Sequence, residues 1–200
     1  MFPARAFYLI RHGQTDANAA KIVSGGTEAT LTSEGALKAE ELGGLMDQVS
    51  PRPALVLHTG RTRTLGTAQR VNRTLNLPMV VDAGLDEHNY GEWIGLPVDP
   101  YVDRVMAGET PPGGESIDTF AIRVRKNLSA ALEKHSSPLL VVAHGGTFRA
   151  FAHLYGKTWH STNCVLHYFE PDAADKDFPW KIWKFTPESG MLRREKVLLP

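Results

Sequence analysis

Short apolar runs, each ending at a charged residue or a histidine, set the rhythm of the chain. Phe7 to Ile10, Ala54 to His58, Met79 to Val81 and Pro138 to Ala143 carry the continuous apolar character of strands buried on both faces. Between them the apolar positions take helical spacing. Thr32 reads as the N-cap of a helix whose stripe is Leu37, Leu42, Leu45 and Met46, and Pro51 and Pro53 close that unit. Further helices are predicted from about Thr62 to Leu75, from Ile117 to His135 and from Thr147 to Tyr155, with final strands at Val165 to Phe169 and Trp180 to Phe185. Strands alternating with helices predict an α/β fold, a three-layer α/β/α sandwich around a mostly parallel central sheet.

Two stretches break this alternation. Gly13 to Thr30 is polar and glycine-rich, and Asp82 to Asp118 is dominated by glycine, proline, aromatic and acidic residues. A long irregular segment inside a compact domain is more often functional than a linker, so residues 91–118 are expected to form a lid-like insertion in one domain spanning residues 1–200.

Charge and cysteine content narrow the function classes. Lysine plus arginine and aspartate plus glutamate both number 22, and the pI is about 7.1, so no global field favours nucleic acid or an anionic membrane. Any anion site has to be local. The single Cys164 allows neither an intrachain disulfide nor a cysteine zinc cluster and reads as a small buried residue. The apolar stretch after Arg5 ends at Arg11, too short for a signal peptide or a membrane span, and a soluble cytoplasmic protein is expected.

The candidate chemistry sits where the strands stop. Arg11-His12-Gly13 follows the first strand, and alone it fits a solvent-facing loop as well as a site. The second apolar run, however, ends the same way, in His144-Gly145-Gly146 before a helix. His58 to Thr64 and Leu85 to Gly95 follow two other strands. In a parallel sheet all four loops open on one edge, where ligands of open α/β sheets bind. Two histidines, at least two arginines and a carboxylate suit phosphoryl transfer without a metal or other cofactor. Arg11 and Arg63 would fork around a phosphate, His12 would attack phosphorus, and Glu87, with a raised pKa, would protonate the leaving group. A cationic His144 would stabilise developing charge on an equatorial oxygen. Gly13, Gly145 and Gly146 would let backbone approach the phosphate, with the helix from Thr147 aiming its amides there.

These motifs resemble the histidine phosphatase superfamily, the phosphoglycerate mutase-like proteins. The resemblance rests on Arg11-His12-Gly13 with Thr15 and Asn18, the Leu-x-Glu-x-x-x-Gly-x-Trp-x-Gly pattern from Leu85, Pro112-Gly113-Gly114-Glu115-Ser116, and the His-Gly-Gly-x-x-Arg pattern from His144. It spans Phe7 to Asn163 and implies the phosphoglycerate mutase-like fold, His12 as the phosphorylated residue, Arg11 and Arg63 on the phosphate, Glu87 as proton donor and His144 as a phosphate partner. It also implies Asn18 and Ser24 in the phosphate pocket.

Departures from the family pattern shape the expected activity. Arg61 stands where an apolar residue is usual, leaving open a substrate contact or exposure to solvent. Ile22 stands where the family often has arginine, and residues 91–116 contain one basic residue, Arg104, against five acidic ones. Both features favour a phosphatase acting on a small phosphomonoester over a mutase holding a second anionic group. Mutase-type transfer, a non-catalytic phosphate-binding module and a phosphohistidine-protein phosphatase remain as alternatives, and a homodimer stays open. Tyr90, Trp93 and Tyr101 either line the pocket or pack the lid. His153, His160 and His167 recur every seven residues, but Gly156 breaks any common face and no zinc site is expected.

Overall fold

The computed structural model describes residues 2–135 and 138–200. Its centre is a seven-stranded sheet in the order β3-β2-β4-β1-β5-β6-β7. β1 (Phe7–Arg11), β2 (Leu55–His58), β3 (Met79–Val81) and β4 (Leu139–Ala143) run parallel. β5 (Leu166–Pro171), β6 (Trp180–Glu188) and β7 (Met191–Val197) extend the sheet antiparallel beyond β1.

The buried strands read as apolar runs because both faces of the sheet are covered. Phe7, Leu9, Leu57, Leu139 and Val141 face one core with α5 (Ile117–Lys134) and α6 (Gly145–His153). Tyr8, Ile10, Val56, Leu140 and Val142 face the other with α2 (Ser33–Gly44) and α3 (Thr62–Val71). This is the expected three-layer sandwich. Cys164 is buried, and burial pushes its thiol up to about 12. Among the described residues no helix is long and apolar enough to cross a membrane.

Four local differences have physical causes. β7 is an edge strand whose Arg193, Arg194, Glu195 and Lys196 leave no apolar alternation; Lys184 on β6 pairs with Glu195 across the ladder at 2.8 Å. Leu37 is exposed rather than part of the α2 stripe, because Gly35 and Ala39 let that helix sit close to its neighbours. The polar loop holds a short helix, α1 (Asp16–Ala19), with Thr15 as its N-cap. Residues 91–118 contain α4 (Val98–Met106), stitched to the first loop by Val23 N–H to Leu96 O, Gly95 N–H to Val23 O and Val98 N–H to Lys21 O, each at 2.8 Å.

Candidate active site

The parallel ladders bring the strand ends into line. Arg11 pairs with Ala143 and His58 with Val142, so His12, Thr59 and His144 follow one another across the same edge. His12 N–H continues the ladder to Ala143 O at 2.9 Å, and its carbonyl accepts from Asn163 Nδ2 at 2.8 Å. The ring is buried, with Nδ1 2.7 Å from the Gly13 carbonyl. A carbonyl only accepts, so Nδ1 carries the proton and Nε2 keeps its lone pair. Burial, then His144, Arg63 and Arg11, hold this imidazole well below its ordinary pKa. A neutral, oriented imidazole is thus built from a strand end, one carbonyl and a cationic surround.

Arg63 is fully buried on α3. Its Nη1 donates to Thr27 O at 2.6 Å, its Nη2 to Gly25 O at 2.8 Å and its Nε to His144 Nδ1 at 3.3 Å. It therefore anchors the first loop and the second histidine as well as charging the site. Gly25 has a φ of +50°, a backbone conformation natural to glycine, and presents the carbonyl that Arg63 binds.

His144 differs from expectation in its charge. Nδ1 accepts from Arg63, while Nε2 lies 2.9 Å from Thr59 Oγ1 and 3.4 Å from Asp86 Oδ1. Burial lowers its pKa, and the pull of Asp86 and Glu87 in the other direction does not make up for it. Both nitrogens are engaged by protein, and burial shifts the ring away from the cationic form expected from sequence.

Glu87 is likewise corrected. Burial acts to raise its pKa, but His144, Arg149 and Arg63 with the His88 N–H outweigh it and hold the carboxyl below its ordinary value. The pocket is cationic as well as dry, and the sequence expectation weighed only the dryness. Oε1 accepts from His88 N at 3.0 Å and Oε2 from Gly146 N at 3.3 Å. α6 starts at Gly145, two residues before the expected Thr147, so its first-turn amide serves the carboxylate. The glycines also make close contacts within the protein: Gly13 packs on Gly35, where a β-carbon would lie 2.6 Å from the Gly35 carbonyl oxygen, and Gly145 lies against the Arg11 guanidinium.

Arg11, Asn18, Ser24 and Glu87 line one small cavity of about 70 Å³, together with Gly25, Tyr90 and Arg149 and an apolar wall of Ile22, Val23, Val98 and Val102. Arg11 Nη1 donates to Ser161 O at 2.8 Å, and its buried Nε has no protein acceptor. Asn18 Oδ1 accepts from Thr15 N and Asn163 Nδ2, both at 3.2 Å, which leaves its amide Nδ2 as the group an anion would meet. Arg149 Nη2 donates to Tyr90 Oη at 3.2 Å. Trp93 and Tyr101 pack on each other, their rings 5.0 Å apart. A small cavity edged by guanidinium, amide and hydroxyl donors beside a carboxyl group has the chemistry of a phosphate site.

The family model for the histidine phosphatase superfamily (branch 1) matches residues 7–164. This chain belongs to that superfamily. An acid phosphatase of Mycobacterium tuberculosis is 34% identical over 148 residues, 71% of this chain and 71% of that protein. A 2,3-bisphosphoglycerate-dependent phosphoglycerate mutase of Bartonella tribocorum is 28% identical over 164 residues, 73% of this chain and 79% of its own. The crystal structure of the alpha-ribazole phosphatase of Shigella flexneri superposes with a TM-score of 0.71 at 25% identity, covering 88% of this chain and 93% of that one. The fold is therefore phosphoglycerate mutase-like, and the chain is an enzyme of the phosphatase and mutase type.

Against this histidine phosphatase framework, Arg61 finds its place. It lies outside the small cavity and borders an open groove with Asp86 and Glu87: its Nε donates to Asp86 Oδ2 at 2.8 Å, its Nη2 reaches the same oxygen, and its Nη1 lies 3.2 Å from Glu28 Oε1. Asp86 in turn accepts from Glu87 N at 2.8 Å and lies beside His144, tying an outer ion pair to both residues. Tyr90, weighed from sequence as pocket lining or lid packing, lines the small cavity, whereas Arg149, Thr59, Asp86 and Asn163 were not picked out as site residues from sequence. Arg149 alone had a signal there, as the last residue of the His-Gly-Gly-x-x-Arg pattern.

Proposed function

We propose that this enzyme hydrolyses small phosphomonoesters through a phosphohistidine on His12. The observation that carries the reading is the 2.7 Å contact of His12 Nδ1 with the Gly13 carbonyl, which leaves Nε2 unprotonated inside a cationic site. In the first step the Nε2 lone pair forms a bond to phosphorus, the bond to the leaving oxygen breaks, and Glu87 gives that oxygen its proton. In the second, water attacks phosphorus, Glu87 takes the water proton, the P–N bond electrons return to Nε2 and inorganic phosphate departs. Arg11, Asn18 Nδ2, Ser24 and Arg63 with Arg149 neutralise the equatorial oxygens. His144 holds Arg63 and enters the field of the site through it.

A dianion arriving among these cations offsets the charges that hold the Glu87 carboxyl down, so substrate binding itself favours the protonated acid. Residues 91–118 act in this reading as a lid already seated over the cavity. Hydrolysis is favoured over mutase transfer because Arg104, the basic residue of that segment, is taken up: Nε donates to Glu109 Oε2 at 2.8 Å, and the guanidinium stacks 4.5 Å from the Trp93 ring centre.

The test is brief incubation with p-nitrophenyl phosphate in EDTA, a quench that avoids acid, and mass spectrometry of native protein and His12→Ala. Nitrophenol release and a phosphate adduct on the native chain, both lost in the variant, are expected. Turnover that survives in His12→Ala would overturn the phosphohistidine route, and absence of both signals with several phosphomonoesters would favour the binding module.

A further inference from the structure

The Pro112–Ser116 stretch and the first turns of α5 lie outside the reacting groups, yet they hold the segment that carries Glu87. Arg123, on α5, donates through Nη1 to Gly84 O at 3.0 Å and Asp86 O at 2.9 Å, and through Nη2 to Glu87 O at 3.2 Å. The same guanidinium is braced by Glu115, with Nε 3.3 Å from Oε2 and Nη2 on Oε1. Glu115 also grips the chain just after Glu87. Its carbonyl lies 2.7 Å from His88 Nε2, its Oε1 accepts from Asn89 N at 3.0 Å, and its own N–H donates to Asn89 O at 3.0 Å. The His88 ring is stacked on Phe120 of α5, centroids 4.8 Å apart and planes within 5°.

These contacts fix the peptide groups on both sides of Glu87. A planar guanidinium gathers three carbonyls that would otherwise need separate donors, and the Glu115 carboxylate sets the guanidinium plane. The His88 N–H, held in place by this packing, is one of the two amides that aim the Glu87 carboxylate. Resting on the assignment of Glu87 as proton donor, we propose that Arg123, braced by Glu115, is a positioning residue for that proton transfer. Neither residue lines the small cavity of Arg11 and Asn18, so neither is asked to bind the phosphoryl group, and both border the open groove on the other side of Glu87.

Leaving-group dependence separates this role from general support of the fold. Protonation matters for an alkoxide and hardly at all for 2,4-dinitrophenolate, and kcat/KM reports the step that forms the phosphoenzyme. The measurement is kcat/KM for ethyl phosphate and for 2,4-dinitrophenyl phosphate in native protein, Glu87→Gln, Arg123→Ala, Arg123→Lys and Glu115→Gln, with vanadate affinity as a check on the phosphate cavity. Glu87→Gln is expected to lose about 100-fold or more on ethyl phosphate alone, in keeping with the usual worth of general acid catalysis. Arg123→Ala should lose about tenfold or more on ethyl phosphate and less than about threefold on the dinitrophenyl ester, with Arg123→Lys and Glu115→Gln showing the same selectivity to a smaller degree. Equal losses on both esters, or none, in the soluble variants would overturn the inference while leaving the Glu87 assignment intact. A Glu87→Gln variant without selectivity would overturn both. If Arg123→Ala does not fold, the two conservative variants decide by the same ratio.

Discussion

Gly146 and Glu87 occupy adjoining space that admits no further carbon: a β-carbon at Gly146 would lie 2.0 Å from Glu87 Oε1 and 3.0 Å from Phe120 Cε1. The second glycine of α6 thus sets where the carboxyl group sits, by leaving room for it and by donating its N–H to Oε2. Gly146→Ala is expected to displace the carboxylate while the helix itself tolerates or gains from alanine, by up to about 1 kcal/mol of propensity. The expected result is a loss of about tenfold or more in kcat/KM for an alkyl phosphate with a Tm close to native. Equal activity in the variant would show that the carboxyl group is not used in the position described.

The pH profile follows from two depressed groups. The proposed nucleophile is neutral His12, and its pKa is pushed well down by burial and by His144, Arg63 and Arg11. Its reactive fraction stays near one as pH falls through 6.5, and the acid limb lies below that value. The proton donor is the acid form of Glu87, also held below its ordinary range. In the free enzyme that form thins about tenfold per pH unit above its pKa, so kcat/KM declines toward alkaline pH. Corrected for the substrate's own second ionisation near about pH 6, the optimum is expected on the acid side of neutrality. An acid limb at or above pH 6.5 would contradict the neutral, buried His12.

The same two residues show how far the sequence could be read. β1 and β4 were legible as apolar runs, and the histidines after them were legible as strand ends, because period and punctuation are local properties. The charge states were not, since the pKa of Glu87 depends on Arg149 and Arg63 converging from other elements. β7 escaped because a solvated edge strand with alternating ion pairs has no apolar signature, and α4 escaped because Gly95, Pro97 and Pro100 read as loop although Val102 and Val105 share one helical side. Arg61 was visible as a departure, but its partners Asp86 and Glu28 lie 25 and 33 residues away in sequence, so its place required the fold.

The α4 segment also sets how much room the leaving group has. Val98 and Val102 from α4 and Ile22 and Val23 from the first loop close the apolar side of a cavity of about 70 Å³, enough for a few water-sized groups. That wall is firmly held, since the backbone bonds between residues 21–23 and 95–98 tie its two halves together and Arg104 stacks on Trp93 and Tyr101 behind it. Compact esters are therefore expected to outrun bulky ones. Val102→Ala removes two methyl groups from the wall without touching a polar contact of the site, and Val98→Ala does the same one turn earlier. In each the ratio of kcat/KM for 1-naphthyl phosphate over ethyl phosphate should rise, by about tenfold if one methylene-sized clash of about 1–3 kcal/mol is relieved. Ethyl phosphate turnover itself should stay within about threefold of native, because the charged side of the cavity is unchanged. An unaltered ratio in both variants would mean that the leaving group departs past another wall, along the open groove of about 580 Å³ that Glu87 also borders with Arg61, Asn89 and Ile94.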